Sequence, residues 1–455
     1  MLVLAASSLP AILTGLAYAE YEQVFALVAM VVGIVVLASS ILLLTPQPTQ
    51  KARPSDALGL VILWWMLAPI AACLPFIIGV QNRSVLLAIH EAAACLTTTG
   101  QSVISVEGDL WPASLLVWRG ALHFIGGAAS MITAASVLAA LNLGGPGIHR
   151  SALFVMPETS FFDAVPKVAR WVLLILGGGI SITTLMLLMT GMSFGRAISD
   201  AISVWTTGMV DPAPYGRSDA GIAGDIVLGT GLAFGALGLA VALPLRDGKP
   251  LKALSDPETT VFALLIVVFA GMAMFAGLTV GESLGWSLSA LSTSGLPLGG
   301  VETGDRVPLP LFVLPALIGG SALSAAGGVK IARFIVLARR AGVEFRQLGY
   351  RRSILGFEFR NRKMDERSVI GVWVYLIAYI AAVFLIMLLF TFTGQSIESA
   401  IRLAIGCLTN SGGLVIGHTA ELSDGASILA IVSMLLGRLE ILAIIPAISV
   451  SFWRG

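Results

Sequence analysis

Leu96-Thr97-Thr98-Thr99-Gly100 is a stretch that this chain writes four times. The other copies are Val204-Trp205-Thr206-Thr207-Gly208, Leu291-Ser292-Thr293-Ser294-Gly295 and Leu408-Thr409-Asn410-Ser411-Gly412. The residue before each glycine is a hydroxyl (Thr99, Thr207, Ser294, Ser411), the fourth before it is aliphatic and the fifth is small. The glycines lie 108, 87 and 117 residues apart. Self-similarity of this kind has to be explained before any local reading, and it describes one unit used four times.

Composition says where such a unit sits. Hydrophobic residues make up 57% of the 455 and charged residues 12%, with a mean hydropathy of +0.93. A soluble chain carries about 25% charge, so the natural solvent here is a bilayer. The net charge of +1 offers no basic patch for nucleic acid. Cys73, Cys95 and Cys407 are scattered, with neither a C-x-x-C pair nor histidines at metal-ligand spacing, and read as small apolar residues. Ala17-Tyr18-Ala19 resembles a signal-peptidase site, but no Lys or Arg precedes Lys51 and a second apolar run follows at once. Two retained helices are expected there.

Apolar segments near the roughly 20 residues needed to span fall at about 3–19, 24–44, 57–80, 113–142, 168–192, 222–245, 258–280, 308–338, 368–393 and 426–450. After the first two they come in pairs. Between the members of each pair lies a shorter segment ending in the glycine motif: Val85–Thr98, Arg196–Thr206, Ser283–Thr293 and Ile397–Asn410. Those lengths suit re-entrant segments. The expected organisation is an N-terminal two-helix extension over 1–50, then four units over 51–145, 146–250, 251–345 and 346–455. Of 27 Lys and Arg, 20 sit in or beside the loops joining these units or at the C-terminus. The positive-inside rule then puts the joining loops and both termini in the cytoplasm and the glycine loops towards the outside. The basic stretch from Arg339 to Arg367 reads as an inside anchor near anionic lipid, or as a docking surface for a cytosolic partner.

A lone Thr-Thr-Gly after a helical segment is an ordinary helix cap. Four copies, each between spanning segments and all on one expected side, are not. Backbone at that depth must be hydrogen-bonded or line a watery cavity, and carbonyls around an axis can replace the hydration shell of an ion. The preceding helices aim partially negative C-terminal ends at the loops, which favours a cation.

At this point the chain resembles the bacterial Trk/Ktr potassium-uptake family, in its Trk branch. Besides the four motifs, the resemblance rests on Gly319-Gly320-Ser321-Ala322-Leu323-Ser324-Ala325-Ala326-Gly327-Gly328-Val329-Lys330, which is similar to the family's Gly-rich break in the second helix of the third unit. Met434-Leu435-Leu436-Gly437-Arg438-Leu439-Glu440-Ile441, ending in Phe452-Trp453-Arg454, is similar to its last helix. The resemblance covers essentially the whole chain. It implies an all-α polytopic membrane protein of about ten spanning helices, with four helix–pore-helix–loop–helix repeats in pseudo-fourfold arrangement around one pore and two extra N-terminal helices. It implies potassium uptake across the inner membrane, with a selectivity filter at Thr98, Thr99, Gly100, Thr206, Thr207, Gly208, Thr293, Ser294, Gly295, Asn410, Ser411 and Gly412. Potassium would sit at Thr99, Gly100, Thr207, Gly208, Ser294, Gly295, Ser411 and Gly412. Arg438 would be a barrier below the filter, and the break at Gly319, Gly320, Gly327 and Gly328 a gate. No cofactor is implied, potassium being the cargo. The implied partners are a second copy, as a homodimer, and a cytosolic nucleotide-binding regulatory subunit of the TrkA-like kind.

The chain departs from that pattern in places. Leu323 and Ala326 stand where glycine is expected, so the gate segment is expected to be stiffer or partly helical. Trp205, the Asp211-Pro212-Ala213-Pro214 run, Pro297 and Asn410 are unusual beside their motifs. An intramembrane arginine such as Arg438 usually faces a cavity or a partner, and a structural ion pair is its bland alternative. His90, Glu91, Arg196, Asp200 and Arg402 lie on the short segments and Arg119 and His123 share a face of a span, where packing explains them as well as function does. Lys330 and Arg333 are expected to snorkel to the cytoplasmic surface.

Three functional classes compete. A potassium-uptake protein, with a sodium or non-selective cation transporter of the same fold as its near alternative, fits the four same-facing units. An organic-solute transporter built on broken midplane helices usually needs inverted repeats. A membrane-embedded serine hydrolase would need Ser294 or Ser411 paired with one of only four histidines, His90, His123, His149 and His418. No enzyme activity is expected.

Overall fold

The computed structural model describes residues 1–45, 54–80, 84–104, 111–137, 161–211, 221–246, 248–298, 307–349, 358–359, 362–363, 366–415 and 422–439. The chain runs through helices α1 (Leu2–Ser7), α2 (Leu9–Ala17), α3 (Tyr21–Leu44), α4 (Pro54–Ala72), α5 (Leu74–Gly79), α6 (Val85–Leu96), α7 (Ala113–Ile132), α8 (Phe161–Met189), α9 (Phe194–Thr206) and α10 (Gly221–Leu237). It continues through α11 (Leu239–Arg246), α12 (Pro250–Leu254), α13 (Pro257–Phe275), α14 (Val280–Leu291), α15 (Leu309–Ile318) and α16 (Ile331–Gly349). After a two-residue antiparallel ladder, β1 (Glu358–Phe359) on β2 (Arg362–Lys363), come α17 (Glu366–Phe392), α18 (Ile397–Thr409), α19 (Gly412–Val415) and α20 (Asp424–Leu439).

Among the described residues, six helical stretches are long and apolar enough to cross a bilayer, at Tyr21–Leu44, Asp56–Gly79, Ala113–Ala135, Val165–Met189, Pro257–Phe275 and Val369–Phe392. The chain is a multi-pass helical membrane protein. Burial ranks these stretches from rim to centre. Only 17% of the α3 stretch and 22% of the α17 stretch is buried, and α3 leaves Leu42, Leu43 and Leu44 exposed, as a lipid-facing surface does. The α7 stretch is 61% buried, which makes α7 the central helix of the first half. Its start is fixed from the N-terminal hairpin: the Glu20 carboxylate, between α2 and α3, accepts from Ala113 N (2.7 Å) and Ser114 N (2.9 Å). Those are donors a helix start would otherwise leave orphaned.

Four short helices, α6, α9, α14 and α18, carry the repeated motif to its loops. Three start on a hydroxyl cap: Ser84 accepts from Leu87 N, Ser396 from Ser399 N, and Thr279 forms a capping box with Glu282. The C-terminal ends of α6, α9 and α18 meet glycines on neighbouring segments. A Cβ on Gly126 of α7 would lie 1.7 Å from Leu96 O, and one on Gly235 of α10 would lie 2.2 Å from Val204 O. On Gly327 it would lie 1.7 Å from Thr409 O, and on Gly437 of α20 it would lie 2.3 Å from Leu408 O. Small residues that let backbones approach are the usual device for packing helices in lipid, where burial adds no hydrophobic gain.

Two of the expected spans are interrupted. The run 222–245 breaks at Gly238 (φ +53°), where Leu239 N donates to Leu323 O at 3.1 Å. The run 308–338 stops at Ile318 and resumes at Ile331. The segment between them contains no helix, against the expectation of partial helicity, because its polar groups are used across the chain: Ser321 N donates to Ala236 O, Val329 N to Leu317 O and Lys330 N to Ile318 O. The later part of the run 426–450 lies outside the described residues.

Gly126→Ala is expected to destabilise the protein by about 1–3 kcal/mol, the usual cost of overpacking. Gly177→Ala on α8 serves as the control, since a Cβ there meets nothing within 4 Å. Thermal unfolding of the two variants in detergent checks the contrast; equal midpoints would refute the packing argument.

Candidate functional site

The four short helices end alike. Six non-glycine residues have positive φ among the described residues: Ala19, Thr98, Thr207, Thr293, Lys330 and Asn410. Four of them stand directly after, or one residue beyond, the ends of α6, α9, α14 and α18. For threonine this left-handed backbone costs about 1–3 kcal/mol, and it persists only where the surroundings impose it. One residue before each of them a hydroxyl caps its own helix: Thr97 on Ala93 O, Thr206 on Ile202 O, Ser292 on Ser289 O and Thr409 on Ile405 O. In the last three copies the residue after the left-handed one donates five residues back, Gly208 N to Ser203 O, Ser294 N to Ser289 O and Ser411 N to Gly406 O.

Contacts pass from each loop to the next. Gly100 lies against the Met209 backbone, where a Cβ would be 2.4 Å from Met209 O. Ser294 Oγ donates to Gly208 O at 2.9 Å. Gly295 lies against Gly413, a Cβ there falling 2.0 Å from Gly413 N. Asn410 Nδ2 donates to Thr99 Oγ1 at 3.2 Å and to Met434 O at 3.0 Å, which returns the circuit to the first loop. Asn410 thus departs from its hydroxyl counterparts for two local reasons: asparagine tolerates the left-handed region better than threonine, and its amide ties the first loop to α20.

A buried ion pair braces the first two loops. Arg119 of α7 pairs with Glu91 of α6, both side chains fully buried. Arg119 Nη2 donates to Gly100 O (2.7 Å) and its Nε to Val210 O (2.8 Å). Glu91 Oε2 accepts from Ser102 Oγ (2.8 Å) and Val103 N (3.1 Å). His123 packs against Gly208, where a Cβ would lie 2.6 Å from its ring. Trp205 faces away from the loops: its Nε1 donates to Thr183 Oγ1 at 2.9 Å, it stacks on Phe234, and Gly179 of α8 makes room for it. Arg402 pairs with Glu398 one turn away, an intrahelical contact. Asp200 and His90 are buried on their helices and Arg196 is half-buried. Beyond Asp211, the Pro212–Pro214 run lies outside the described residues, as does Glu440.

Beneath the loops the interrupted segment comes up against them. Gly327 N donates to Thr293 Oγ1 at 2.9 Å. Arg438, 7% exposed, donates from Nε to Thr97 O at 2.6 Å, from Nη2 to Thr98 Oγ1 and from Nη1 to Ala325 O. It therefore links the first loop to the interrupted segment. Gly319 (φ +74°) and Gly328 (φ +80°) approach so closely that a Cβ on Gly319 would be 2.0 Å from Gly327 O. Gly320 lies against Ala236 O. The Glu258 carboxylate of α13 accepts from Ala322 N at 3.0 Å. Arg438 and Lys330 line one small cavity with Ser130, Thr133, Ser324 and Ala326.

Lys330 and Arg333 correct the sequence reading. Neither reaches the surface. Lys330 is 7% exposed and its Nζ folds back to donate to Ser324 O (3.4 Å) and Ala326 O. Arg333 is 2% exposed and lies over the Tyr375 ring at 4.2 Å. A non-helical segment leaves carbonyls unused by helix bonds, and these outcompete the route to water. No pattern in the sequence marked Glu91 and Arg119 as a loop brace. The one available hint was two opposite charges on successive apolar helices, where an unpaired charge is expensive.

No family model matches the chain. Among curated proteins, it is 27% identical over 447 residues to the Trk system potassium uptake protein TrkH of Salmonella typhimurium, covering 92% of this chain and 91% of that one. It is 23% identical to the TrkH of Halomonas elongata, over 100% of this chain and 97% of that one. The Trk system potassium uptake protein TrkG of Escherichia coli is 26% identical over 89% of this chain. The chain is thus similar to Trk system potassium uptake proteins over nearly its whole length. The crystal structure of the potassium transporter TrkH from Vibrio parahaemolyticus matches its fold with a TM-score of 0.85 at 24% identity, covering 100% of this chain and 98% of that one. The named Trk relatives are uptake proteins and not enzymes, and Ser294, one of the two hydrolase candidates, spends its hydroxyl on Gly208 O.

Removing one member of a buried pair strands the other, at about 3–5 kcal/mol. Glu91→Gln should therefore lower the unfolding midpoint sharply. Glu398→Gln, at an acid whose side chain is 61% exposed, should cost under about 1 kcal/mol. Comparable losses in the two variants would sink the brace.

Proposed function

We propose that the chain takes up potassium across the bacterial inner membrane through a filter formed by the four loops. The observation that carries this reading is the closed circuit of loop-to-loop contacts, made at the ends of four helices whose last residues share one strained backbone state. In the reading, the helices are pore helices and the five segments 1–50, 51–145, 146–250, 251–345 and 346–455 are a two-helix extension and four pore repeats in pseudo-fourfold arrangement. The joining loops and both termini are cytoplasmic, on the strength of the Lys and Arg distribution.

Potassium is then held by backbone oxygens and hydroxyls of the filter residues, from Thr98–Gly100, Thr206–Gly208, Thr293–Gly295 and Asn410–Gly412. Two carbonyls are already committed to protein: Gly100 O to Arg119 and Gly208 O to Ser294. The oxygens left to face an ion in those loops are therefore the ones before the glycines, such as Thr98 O and Thr99 O. Their fixed dipoles substitute for water around the ion, and the partially negative helix ends add to the attraction.

Arg438 is the electrostatic barrier, and the segment containing Gly319, Gly320, Gly327 and Gly328 is the gate. Two bonds support a mechanical link between gate and filter, Gly327 N to Thr293 Oγ1 and the shared grip of Arg438 on Thr97 O and Ala325 O. Opening the gate requires breaking both. The functional assembly is a homodimer with one pore per chain, regulated by a cytosolic nucleotide-binding subunit, and no cofactor takes part.

Rubidium uptake into liposomes holding the purified protein tests the reading, with potassium, sodium and choline as competitors. Blockade by potassium but not by sodium is the expected result; equal blockade by sodium would overturn the selectivity. Gly100→Ser should lower discrimination between potassium and sodium, because a Cβ at that residue meets the Met209 backbone and must push the carbonyl cage apart. Arg438→Ala should raise uptake at least several-fold, as expected when an intramembrane charge is removed from an ion path. A folded Arg438→Ala protein with slower uptake would count against the barrier.

A further inference from the structure

Aligned by sequence, the four copies match at Gly100, Gly208, Gly295 and Gly412. Aligned by backbone, the second copy shifts by one residue. The left-handed residue is two before the glycine in three copies (Thr98, Thr293, Asn410) but immediately before it in the second (Thr207). The hydroxyl caps shift with it: Thr97, Ser292 and Thr409 lie three before their glycines, and Thr206 two before. The five-back bond gives the same register, since Gly208 N takes the role of Ser294 N and Ser411 N. Gly208 is therefore the counterpart of Thr99, Ser294 and Ser411.

We infer that Met209 occupies the second loop's filter-glycine position and that its side chain lies across the ion path, limiting flux and setting selectivity. The inference rests on the four-loop filter proposed above. Three observations carry it. Met209 is fully buried. Its backbone is the surface against which Gly100 packs, so it stands level with a filter glycine. Its Cε comes within 3.5 Å of where a Cβ on Gly412 would be. The loop contacts run first to second, second to third, third to fourth and fourth to first, so the second and fourth loops are diagonal partners. A side chain from one that reaches the other must cross the middle of the ring.

Backbone strain does not forbid a side chain here. Gly100 and Gly295 both have φ +78°, which makes a side chain costly there, whereas Met209 is not among the positive-φ residues. The second position can thus carry without strain what the first and third cannot. What it carries is ill-suited to a hard alkali cation. A thioether sulfur is a soft, weak acceptor, so it narrows the ring without replacing the water it displaces. The side chain is also unbranched with three rotatable bonds, so it can swing aside as an ion passes.

The test is rubidium uptake by proteoliposomes of the full chain carrying Met209→Ala or Met209→Gly. Uptake should rise in the order Met, Ala, Gly, by about tenfold at glycine if a filter obstruction is removed, and sodium should compete less well. A second variant reads position without relying on a gain. In a chain whose Cys73, Cys95 and Cys407 are replaced by alanine, Met209→Cys should make uptake sensitive to silver, a monovalent cation that binds thiols. The parental Cys-free chain should be insensitive. Selective rubidium uptake by the wild type, with no gain in Met209→Gly and no silver block in Met209→Cys, would overturn the inference and leave the filter standing. No cation uptake by the wild type or by Met209→Gly would overturn the filter, and the inference with it.

Discussion

A helix that ends among buried residues leaves carbonyls with no water to receive them, and among the described residues α6, α9, α14 and α18 end so. Everything central in the structure answers that constraint. The left-handed residues Thr98, Thr207, Thr293 and Asn410 turn the chain so that the next amides fold back on the helix end. Glycines on neighbouring segments then bring a second backbone close to the ends of α6, α9 and α18. Two of the first loop's carbonyls are met by buried arginines, Thr97 O by Arg438 and Gly100 O by Arg119. Three threonines in a costly conformation are evidence that the surroundings, and not local preference, fix the geometry.

The buried charges follow from the same constraint. Arg119 spends its guanidinium on Gly100 O, Val210 O and Glu91. Arg438 spends its own on Thr97 O, Thr98 Oγ1 and Ala325 O. Arginine suits this because its planar fork offers several donors at fixed angles and never loses its charge at ordinary pH. Both arginines grip the first loop, Arg438 at Thr97 and Thr98 and Arg119 at Gly100, and between them they tie α7 and α20 to it. Lys330, a point charge on a flexible stem, folds onto the carbonyls of its own segment instead.

The large design was legible because it is written in glycine and hydropathy. Four motif copies located the short helices to within a few residues, and the Gly-rich run 319–328 located the interruption of the third unit. What escaped were facts decided by backbone dihedrals and by distant partners. The second motif was matched on Gly208 because glycine is conspicuous in a sequence, whereas a φ value is not; the backbone puts Met209 in that register. Lys330 and Arg333 looked like surface residues because the general habit of long cations near a helix start is to reach water. An acceptor-rich segment beside them reversed it. The Gly238 break lay inside an apolar run that also holds Gly224, Gly229, Gly231 and Gly235, and nothing local singled it out.

The contacts that close the four loops join the two ends of the chain. Arg438 and Thr97 are 341 residues apart, and Asn410 and Thr99 are 311 apart. Synthesis delivers the N-terminal part first. The first loop therefore enters the membrane long before α18 and α20 exist to complete its bonds. A chain still emerging from the ribosome has three of the four loops and lacks the contacts that return the fourth to the first. A product cut short before α18 keeps the first loop but loses the side chains of Asn410 and Arg438 that hold it.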